Sequence, residues 1–441
     1  MKRAMLAALA LVATVACASG GAIRPIERHV ILISLDALRS PFYLDPAYEA
    51  PTLRSLVAEG SHARAAESVF PTSTYPAHAS IATGVRPAGH GISFNLIFRK
   101  DGARTRWYEE TADLRAPPVW DWARAAGLTT ATVSWPSTVG AKVDWLLPER
   151  DYYVRPDPAR ALVAASTPGL FTRIGVEPLE DAGFKQVERW DAFLTAVTVG
   201  IIRDARPNLL MLHLVQADMA QHAGGPEGSG VKPAVRRLDA HVRAIREAVA
   251  AAGIAARTTI VVTGDHGFQD VREYVYPNHV LARAGLRACP QRAGWRATSH
   301  ASGGSGAVFV DPPGDVEATA RAEEALRREA GGRYTVVTRA ELDAMGAMPG
   351  VAFGLEAAPG WAIGTSCDRG LTGASRTGAG THGFLPTRPT MATGFIAAGA
   401  GVRDGVALER IRLIDVAPTV ARLLGIPAPP VEGRVLEEIL R

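Results

Sequence analysis

The chain has little of what marks a nucleic-acid-binding or membrane-spanning protein. Its 441 residues carry a formal net charge of only +4, and no block of Lys and Arg runs along them, so we predict no nucleic-acid-binding surface. After the first residues, no apolar run approaches the roughly 20 residues of a membrane-spanning helix. Neither G-x-S-x-G nor H-E-x-x-H occurs, which excludes the commonest serine hydrolase and zinc peptidase patterns.

Cysteine is also scarce, with Cys17, Cys289 and Cys367 the only three. If Cys17 is removed with a leader, an even pair remains in an oxidising compartment. A disulfide between Cys289 and Cys367 and two unpaired thiols both fit the sequence, because the Cα separation that decides between them is not encoded in the spacing.

Residues 1–18 are predicted to be a secretory signal peptide. Two basic residues precede a short apolar stretch, and small residues surround a cleavage point after Ala18. A membrane anchor is one alternative, although the stretch is shorter than the roughly 20 residues a spanning helix needs. Lipid attachment at Cys17 is another, for which Thr14 is a poor match to the usual aliphatic residue. We therefore expect a periplasmic or secreted protein, with no transmembrane segment after signal removal.

The remaining residues, 19–441, are predicted to form a single α/β domain. Short apolar runs alternate with amphipathic stretches, which is typical of a doubly wound, mostly parallel sheet with helices on both faces. Irregular stretches at about 90–190 and 285–380 are predicted to be insertions that roof this core. The predicted strands are 29–35, 128–135, 208–215, 258–264, 306–310 and 391–399, and the clearest predicted helices are 231–253 and 412–425.

The segment "PTSTYPAH", residues 71–78, stands out within this pattern. Pro71 and Pro76 fix φ and lack an N–H, which disfavours a helix interior or a central strand. We therefore predict a shaped loop, for which an ordinary surface turn is the simplest interpretation.

Acidic and histidine residues follow three predicted strands. Asp36 follows 29–35, Asp218 follows 208–215, and Asp265 and His266 follow 258–264. A single Asp in such a place is usually a turn former or a helix cap. In open α/β sheets, however, ligands collect beyond the carboxyl ends of the strands, so three such ends together favour a metal site.

Two further histidines extend this set. His222 lies four residues after Asp218, so the two share one face if the segment is helical. His382 lies in the glycine-rich "GTHGF". By itself each signal is weak, because a loop histidine is often satisfied by the backbone.

Together these motifs resemble the alkaline phosphatase superfamily and, within it, the nucleotide pyrophosphatase/phosphodiesterase family. The motifs that carry the resemblance are Asp36 in "SLDALR", Thr74 in "FPTSTYPAHASIATGVRPAGHGI", Asn95 in "GISFN", the pair in "QADMAQH", "GDHGF" and "GTHGF". Their order matches the family across almost the whole chain after the leader. The joint pattern is specific although no single piece is.

The resemblance implies an alkaline-phosphatase-like fold and two metal ions, usually zinc. It assigns one ion to Asp218, His222 and His382, and the other to Asp36, Asp265, His266 and the oxygen of Thr74. Thr74, not Ser73, is the implied nucleophile, and it would carry a phospho-threonine intermediate that water hydrolyses. The implied role of Asn95 is to donate to an equatorial phosphate oxygen.

Two aromatic residues resemble substrate contacts of the family. Tyr75 follows the nucleophile and would stack on a flat part of the substrate, and Trp135 in "SWPST" matches a tryptophan near the site. Packing in the core is the alternative for both. Ala77 replaces an asparagine common in the family, which leaves nucleotide preference open.

The expected activity is hydrolysis of small-molecule phosphodiesters or nucleotide pyrophosphates by a secreted two-zinc enzyme. A phosphomonoesterase or a phosphonate hydrolase of the same superfamily is the alternative, and Asn95 favours the diesterase. A periplasmic binding protein that keeps the fold without turnover is a third interpretation, against which the full set of ligands argues.

Overall fold

The computed structural model describes residues 27–100, 105–289, 294–376 and 378–441. The predicted signal peptide and Cys17 lie outside these residues. The strands are β1 (His29–Leu35), β2 (Gly60–Glu67), β3 (Thr130–Val133), β4 (Trp145–Leu147), β5 (Leu209–Leu214), β6 (Thr258–Thr263), β7 (Gln269–Val275), β8 (Ala297–Ser302), β9 (Ser305–Val310), β10 (Tyr334–Val337), β11 (Phe353–Ala357), β12 (Gly360–Ile363), β13 (Thr372–Ala374), β14 (Gly380–Thr381), β15 (Thr393–Gly399), β16 (Val406–Leu408) and β17 (Ile411–Arg412).

The α-helices connect and cover these strands. They are α1 (Pro41–Leu44), α2 (Pro51–Ala58), α3 (Thr74–Thr83), α4 (Pro87–His90), α5 (Val119–Ala125), α6 (Pro158–Ala165), α7 (Leu170–Ile174), α8 (Val187–Ala205), α9 (Gln216–Gly224), α10 (Val231–Ala251), α11 (Pro277–Arg283), α12 (Val316–Arg328), α13 (Arg339–Ala344) and α14 (Val416–Leu424). The predicted helix 231–253 corresponds to α10, and the prediction 412–425 to α14 with a short 3₁₀ turn before it. None of the helices in the described ranges is long and apolar enough to cross a membrane.

The main sheet is mostly parallel, as predicted. Within the described residues its order is β16-β2-β15-β6-β1-β5-β3-β4, with β17 also pairing β2. All pairs are parallel except those of β15, which runs antiparallel to β2 and β6. Every residue of the central β1 is buried, which is why this strand reads as a continuous apolar run rather than an alternating one.

Helices cover both faces of this sheet. Alternate residues of β1 point to opposite faces: Ile31 and Ile33 join the core beneath α8 and α10, and Val30 and Leu32 join the core beneath α5 and α14. In α10 the apolar positions Val235, Leu238, Val242, Ile245 and Val249 are all buried. Their 3.6-residue periodicity therefore becomes one contact face.

Two predictions about the outer parts of the chain need correction. The segment 306–310 is a strand, but β9 belongs to a separate antiparallel sheet of order β10-β11-β9-β8 rather than to the parallel sheet. The interval 90–190 is not wholly an insertion, because β3 and β4 extend the main sheet. Sequence pattern identified the strands but not their partners, since a short apolar run fits either kind of sheet.

Residues 71–78 also differ from the predicted loop. The loop ends at Ser73, and α3 begins at Thr74 with Pro76 in its first turn. The first N–H groups of a helix have no intrahelical partner, so a proline there removes no hydrogen bond. Thr74 is consequently the first residue of a buried helix.

Cys289 and Cys367 form a disulfide, with Cα atoms 5.7 Å apart. Of the two arrangements that the sequence left open, the structure has the paired one.

Candidate active site

The carboxyl ends of β1, β5 and β6 meet at one edge of the main sheet, because these three strands are parallel neighbours. Asp36 directly follows β1, Asp218 lies in the first turn of α9 after β5, and Asp265 and His266 follow β6. The helix that starts at Thr74 reaches the same edge. The convergence expected for parallel strand ends is therefore present.

One group of side chains surrounds His266. Its Nε2 atom lies 3.4 Å from Asp36 Oδ1, 3.3 Å from Asp265 Oδ2 and 3.5 Å from Thr74 Oγ1. Ligand atoms at about 2.0–2.1 Å from a tetrahedral metal ion are separated from each other by about 3.3–3.4 Å. The three distances thus match the edges of such a tetrahedron.

A second group adjoins the first. Asp218 Oδ1 lies 3.4 Å from His222 Nε2 and 4.0 Å from His382 Nε2. The rings of His266 and His382 stack with centroids 3.8 Å apart. Ligand atoms of Asp36, Asp218 and His266 also fall within 4.8 Å of one another, so Asp218 approaches both groups.

The hydrogen bonds around these groups leave the inward-facing atoms free. Among the described residues, Asp36 Oδ1, Asp218 Oδ1 and Asp265 Oδ2 are buried without a hydrogen-bond partner. In each of the three histidines, Nδ1 lies within hydrogen-bond distance of a backbone carbonyl oxygen. The carbonyl belongs to Gly380 for His222, to Gly267 for His266 and to Thr72 for His382. Such outer contacts fix the ring so that Nε2 can bind a metal. The donor set fits a metal ion.

The charges in the site point the same way. Burial, reinforced by the charges of Asp265 and Asp218, raises the pKa of Asp36 well above its usual value, and burial raises the pKa of Asp218 to about 6. Burial lowers the pKa of His266 to about 3, so this ring is neutral. Three carboxyl groups are thus buried close together beside the neutral ring of His266, and a bound cation would favour their ionised form.

Two glycines bring the histidine loops close to the rest of the site. A Cβ on Gly267 would lie 2.0 Å from Thr390 O, and one on Gly383, whose φ is +93°, would lie 1.9 Å from Ser302 O. Only glycine allows these approaches. This explains why glycine follows the histidine in both "GDHGF" and "GTHGF".

Thr74 and Asn95 lie together beside the first group. The backbone N–H of Tyr75 donates to Asn95 Oδ1 at 2.9 Å, and among the described residues the Asn95 amide nitrogen remains available as a donor. Ser73 is fully buried and its hydroxyl pairs with that of Ser302 at 3.0 Å. Thr74, not Ser73, therefore presents its hydroxyl to the site.

A cavity of about 570 Å³ opens in front of these residues. Aromatic and aliphatic side chains form much of its wall. The residues that line the cavity are Asp36, Thr74, Tyr75, Asn95, Trp107, Glu149, Arg150, Asp151, Tyr152, Phe184, Lys185, Val187, Trp190, His213, Val215, Asp218, Met219, His222 and His382. Such a cavity has the size and lining of a small-molecule site.

The two predicted aromatic contacts have different places. Tyr75 lines the cavity but is also packed in a small buried cluster, with its ring 5.4 Å from that of Trp107. Trp135 does not reach the cavity: it is 0% exposed and its ring packs edge-on against His78. Trp135 thus packs in the core behind the cavity, as in the alternative interpretation of this residue, and a substrate contact for it stays a prediction.

Several residues of the site were not identified from the sequence. His213 forms a hydrogen bond with Asp36. Asp191 accepts hydrogen bonds from the backbone N–H groups of Val215 and Gln216 at the start of α9. Trp107 lines the cavity. Only His213 left a sequence signal, as the one titratable side chain in the apolar run "LLMLHL". The others lie in segments without a recognisable motif.

The fold and this site define a protein with the alkaline-phosphatase-like fold whose sheet edge carries a cluster of side chains that could hold a metal ion. The family model for type I phosphodiesterases/nucleotide pyrophosphatases matches residues 30–384. The chain belongs to that family, which confirms the family resemblance and the predicted fold class.

Two curated relatives share about a quarter of their residues with this chain over the aligned segments. The chain is 24% identical over 264 residues to ectonucleotide pyrophosphatase/phosphodiesterase family member 1 of Homo sapiens, covering 57% of this chain and 25% of that protein. It is 24% identical over 277 residues to family member 7 of Rattus norvegicus, covering 61% and 57% respectively. The matches therefore span between a quarter and somewhat over half of these relatives.

Solved structures share the fold over nearly the full chain. Murine ectonucleotide pyrophosphatase/phosphodiesterase 5 superimposes with a TM-score of 0.70 at 18% identity, covering 94% of this chain and 100% of that one. A second structure of the murine protein, an inactive threonine-to-alanine variant in complex with AMP, has a TM-score of 0.69 at 18% identity.

Proposed function

We propose that this chain is a two-zinc phosphodiesterase/nucleotide pyrophosphatase that hydrolyses phosphodiester or pyrophosphate bonds of small molecules through a phospho-threonine intermediate. The observation that carries the proposal is the set of tetrahedral-edge distances from His266 Nε2 to Asp36, Asp265 and Thr74. A metal ion bound at these residues would activate the Thr74 hydroxyl as a nucleophile.

The residues would divide between two ions as the resemblance implies. Asp36, Asp265, His266 and Thr74 would hold one, and Asp218, His222 and His382 would hold the other. Imidazole and carboxylate donors in sets of three suit zinc, and three protein ligands leave a position open. When bound, the ions would supply Lewis acidity and lower the pKa of the threonine hydroxyl.

The chain's own residues then account for the bond changes. Thr74 Oγ1 attacks phosphorus and gives its proton to solvent, and the bond to the leaving-group oxygen breaks, so that this group departs with the bonding electron pair. In the second half, the oxygen of a water molecule bonds to phosphorus and gives a proton to solvent, while the bond to Thr74 breaks and Oγ1 takes up a proton to restore the hydroxyl. The Asn95 amide donates to an equatorial oxygen, where charge spreads in both transition states.

The cavity favours a substrate whose phosphorus carries a flat or apolar substituent. Beyond Thr74 and Asn95, its wall includes Tyr75, Trp107 and Trp190, which can contact a second, flat or apolar substituent on the phosphorus. A small phosphonate or a phosphate without such a group would leave this wall unused. AMP is a phosphate monoester, so the AMP complex of the murine relative supports a nucleoside monophosphate as a product of such hydrolysis.

Location and domain organisation are part of the proposal. The leader sequence and the Cys289–Cys367 disulfide support a periplasmic or secreted protein, because disulfides persist in oxidising compartments. Residues 19–441 would then act as one catalytic domain, with parts of 90–190 and 285–380 over the site.

The test is a comparison of bis(p-nitrophenyl) phosphate with p-nitrophenyl phosphate, on purified protein with and without a chelator. We expect faster diester turnover that is lost on zinc removal and restored by zinc. Faster monoester turnover would contradict the diesterase assignment. Activity that survives thorough zinc removal would contradict the metal mechanism, and failure to turn over either compound would favour a binding protein.

A further inference from the structure

His213 is a polar residue in an otherwise apolar strand. It lies in β5, whose six residues "LLMLHL" are all buried, and only 1% of its surface is exposed. Burying an imidazole is unfavourable unless both ring nitrogens have partners. The partners of His213 therefore indicate what the residue does.

Both ring nitrogens of His213 face carboxylates. Nε2 lies 3.0 Å from Asp36 Oδ2, and Nδ1 lies 2.6 Å from Glu149 Oε2. A carboxylate that binds a metal ion is ionised and only accepts hydrogen bonds, so Nε2–H would be the donor to Asp36 when the metal is bound.

The bond from His213 divides the roles of the two Asp36 oxygens. Oδ2 lies within hydrogen-bond distance of His213 Nε2, whereas Oδ1 has no partner among the described residues and lies 3.4 Å from His266 Nε2. Rotation of the carboxylate would exchange the two oxygens or move both away from the metal-ligand position. The imidazole opposes that rotation.

We propose that His213 is a positioning residue that, held by Glu149, orients Asp36 so that Oδ1 faces the metal. The inference rests on the proposed two-zinc function, since it assigns Asp36 as a ligand. Bonds of this type to metal ligands typically change metal affinity about 10–100-fold when removed.

The surroundings of His213 keep its ring in place. The His78 ring packs against it with centroids 4.3 Å apart, and His78 is itself fixed by Ser34 Oγ and Thr74 O, each at 2.8 Å. Glu149 follows β4 and lines the substrate cavity together with Tyr75. The chain of contacts thus runs from the cavity wall through Glu149 and His213 to Asp36.

A direct metal-ligand role for His213 is not compatible with these contacts, because neither nitrogen is free. A purely structural role is the remaining alternative. Two substitutions distinguish a structural role of His213 from a positioning role. The side-chain amide of Gln reaches about as far as Nε2 of His, and that of Asn reaches about as far as Nδ1. His213→Gln keeps a donor toward Asp36, and His213→Asn keeps one toward Glu149.

The experiment measures zinc stoichiometry, both zinc dissociation constants by competition with a chromophoric chelator, and the Tm of the metal-free protein. We expect two zinc ions on the wild type, a rise of about 10–100-fold in at least one constant for His213→Asn, and a much smaller rise for His213→Gln. Glu149→Ala, in a loop, is expected to weaken binding to an intermediate extent. His29→Asn is the control, because His29 is buried at the opposite end of β1 and bonds Pro207 O.

The outcomes distinguish the positioning role from the proposed function. Wild-type protein without bound zinc would overturn the proposed function itself. Two zinc ions on the wild type with unchanged constants in His213→Asn would overturn the positioning role alone. Equal losses of affinity in His213→Asn and His213→Gln, in step with equal losses of Tm, would likewise assign His213 a merely structural role.

Discussion

The hydroxyl of Thr74 and the imidazole of His266 face each other at 3.5 Å between Oγ1 and Nε2. Thr74 comes from the first turn of α3 and His266 from the loop after β6, so two distant segments meet at this point. The distance fits two ligands of one tetrahedral ion. A threonine hydroxyl is a poor nucleophile at neutral pH unless a base or a metal ion activates it. Its position beside His266 would allow a metal ion bound there to activate it.

Removal of the Thr74 hydroxyl should separate chemistry from metal binding. Thr74→Ala is expected to lower kcat on bis(p-nitrophenyl) phosphate by about 10³-fold or more, while zinc content stays near the wild-type value because Asp36, Asp265 and His266 remain. Zinc is measured by inductively coupled plasma mass spectrometry. Thr74→Ser, which keeps a hydroxyl, is the matched control and should stay within about tenfold of wild type.

Asn95 should act on the transition state more than on substrate binding. Asn95→Ala removes the free amide donor near Thr74 and is expected to lower kcat by about 10²–10³-fold with a smaller change in KM. Steady-state kinetics on the same diester measure the two constants. A rise in KM at unchanged kcat would instead show that Asn95 only binds the substrate.

Removal of a ligand from the second group, Asp218, His222 and His382, should lower the number of zinc ions bound per chain. His382→Ala removes a ring whose Nε2 lies 4.0 Å from Asp218 Oδ1, so zinc content is expected to fall toward one ion per chain. His279→Ala is the control, because His279 bonds Cys367 O outside the site. Equal zinc content in both variants would contradict the assignment of His382.

The two tryptophans near the site should respond in opposite ways. Trp135→Phe leaves space in a core where the ring is 0% exposed, and is expected to lower stability by about 1–3 kcal/mol with little change in KM. Trp107→Ala removes part of the cavity wall and should raise KM with a smaller loss of Tm. Thermal unfolding and steady-state kinetics on both variants test this contrast.

The disulfide should contribute stability without affecting catalysis. It closes a sequence separation of 78 residues, and a loop of this length corresponds to about 2–5 kcal/mol. The Cys289→Ser/Cys367→Ser double variant is expected to unfold at a lower temperature and to keep wild-type kcat on the folded protein. A lower kcat at a temperature where the variant is folded would show that the disulfide also shapes the site.

The sequence predicted the parts of this molecule that follow from strand order. Asp36, Asp218, Asp265 and His266 could be grouped because carboxyl ends of parallel strands share an edge. The motif containing Trp135 gave no information on side-chain direction, so a place in the core and a contact with the substrate could not be distinguished. Thr74 was expected in a loop because proline disfavours helix interiors, although the first turn accepts it.

Contacts between distant segments were beyond sequence reasoning for another reason. The bond from His213 to Asp36 joins positions 177 residues apart, and the bond to Glu149 spans 64. No local periodicity or motif specifies such a pair. These contacts follow from the register of the sheet, in which Ser34 of β1 lies opposite His213 of β5.

The most direct test of the central claim is detection of the covalent intermediate on Thr74. The protein is mixed with bis(p-nitrophenyl) phosphate, quenched in acid within the first turnover, digested and examined by peptide mass spectrometry. The mechanism predicts a p-nitrophenyl phosphate adduct on Thr74 that is absent from Thr74→Ala and from zinc-free protein. Steady turnover without any adduct, or an adduct on Ser73, would contradict it.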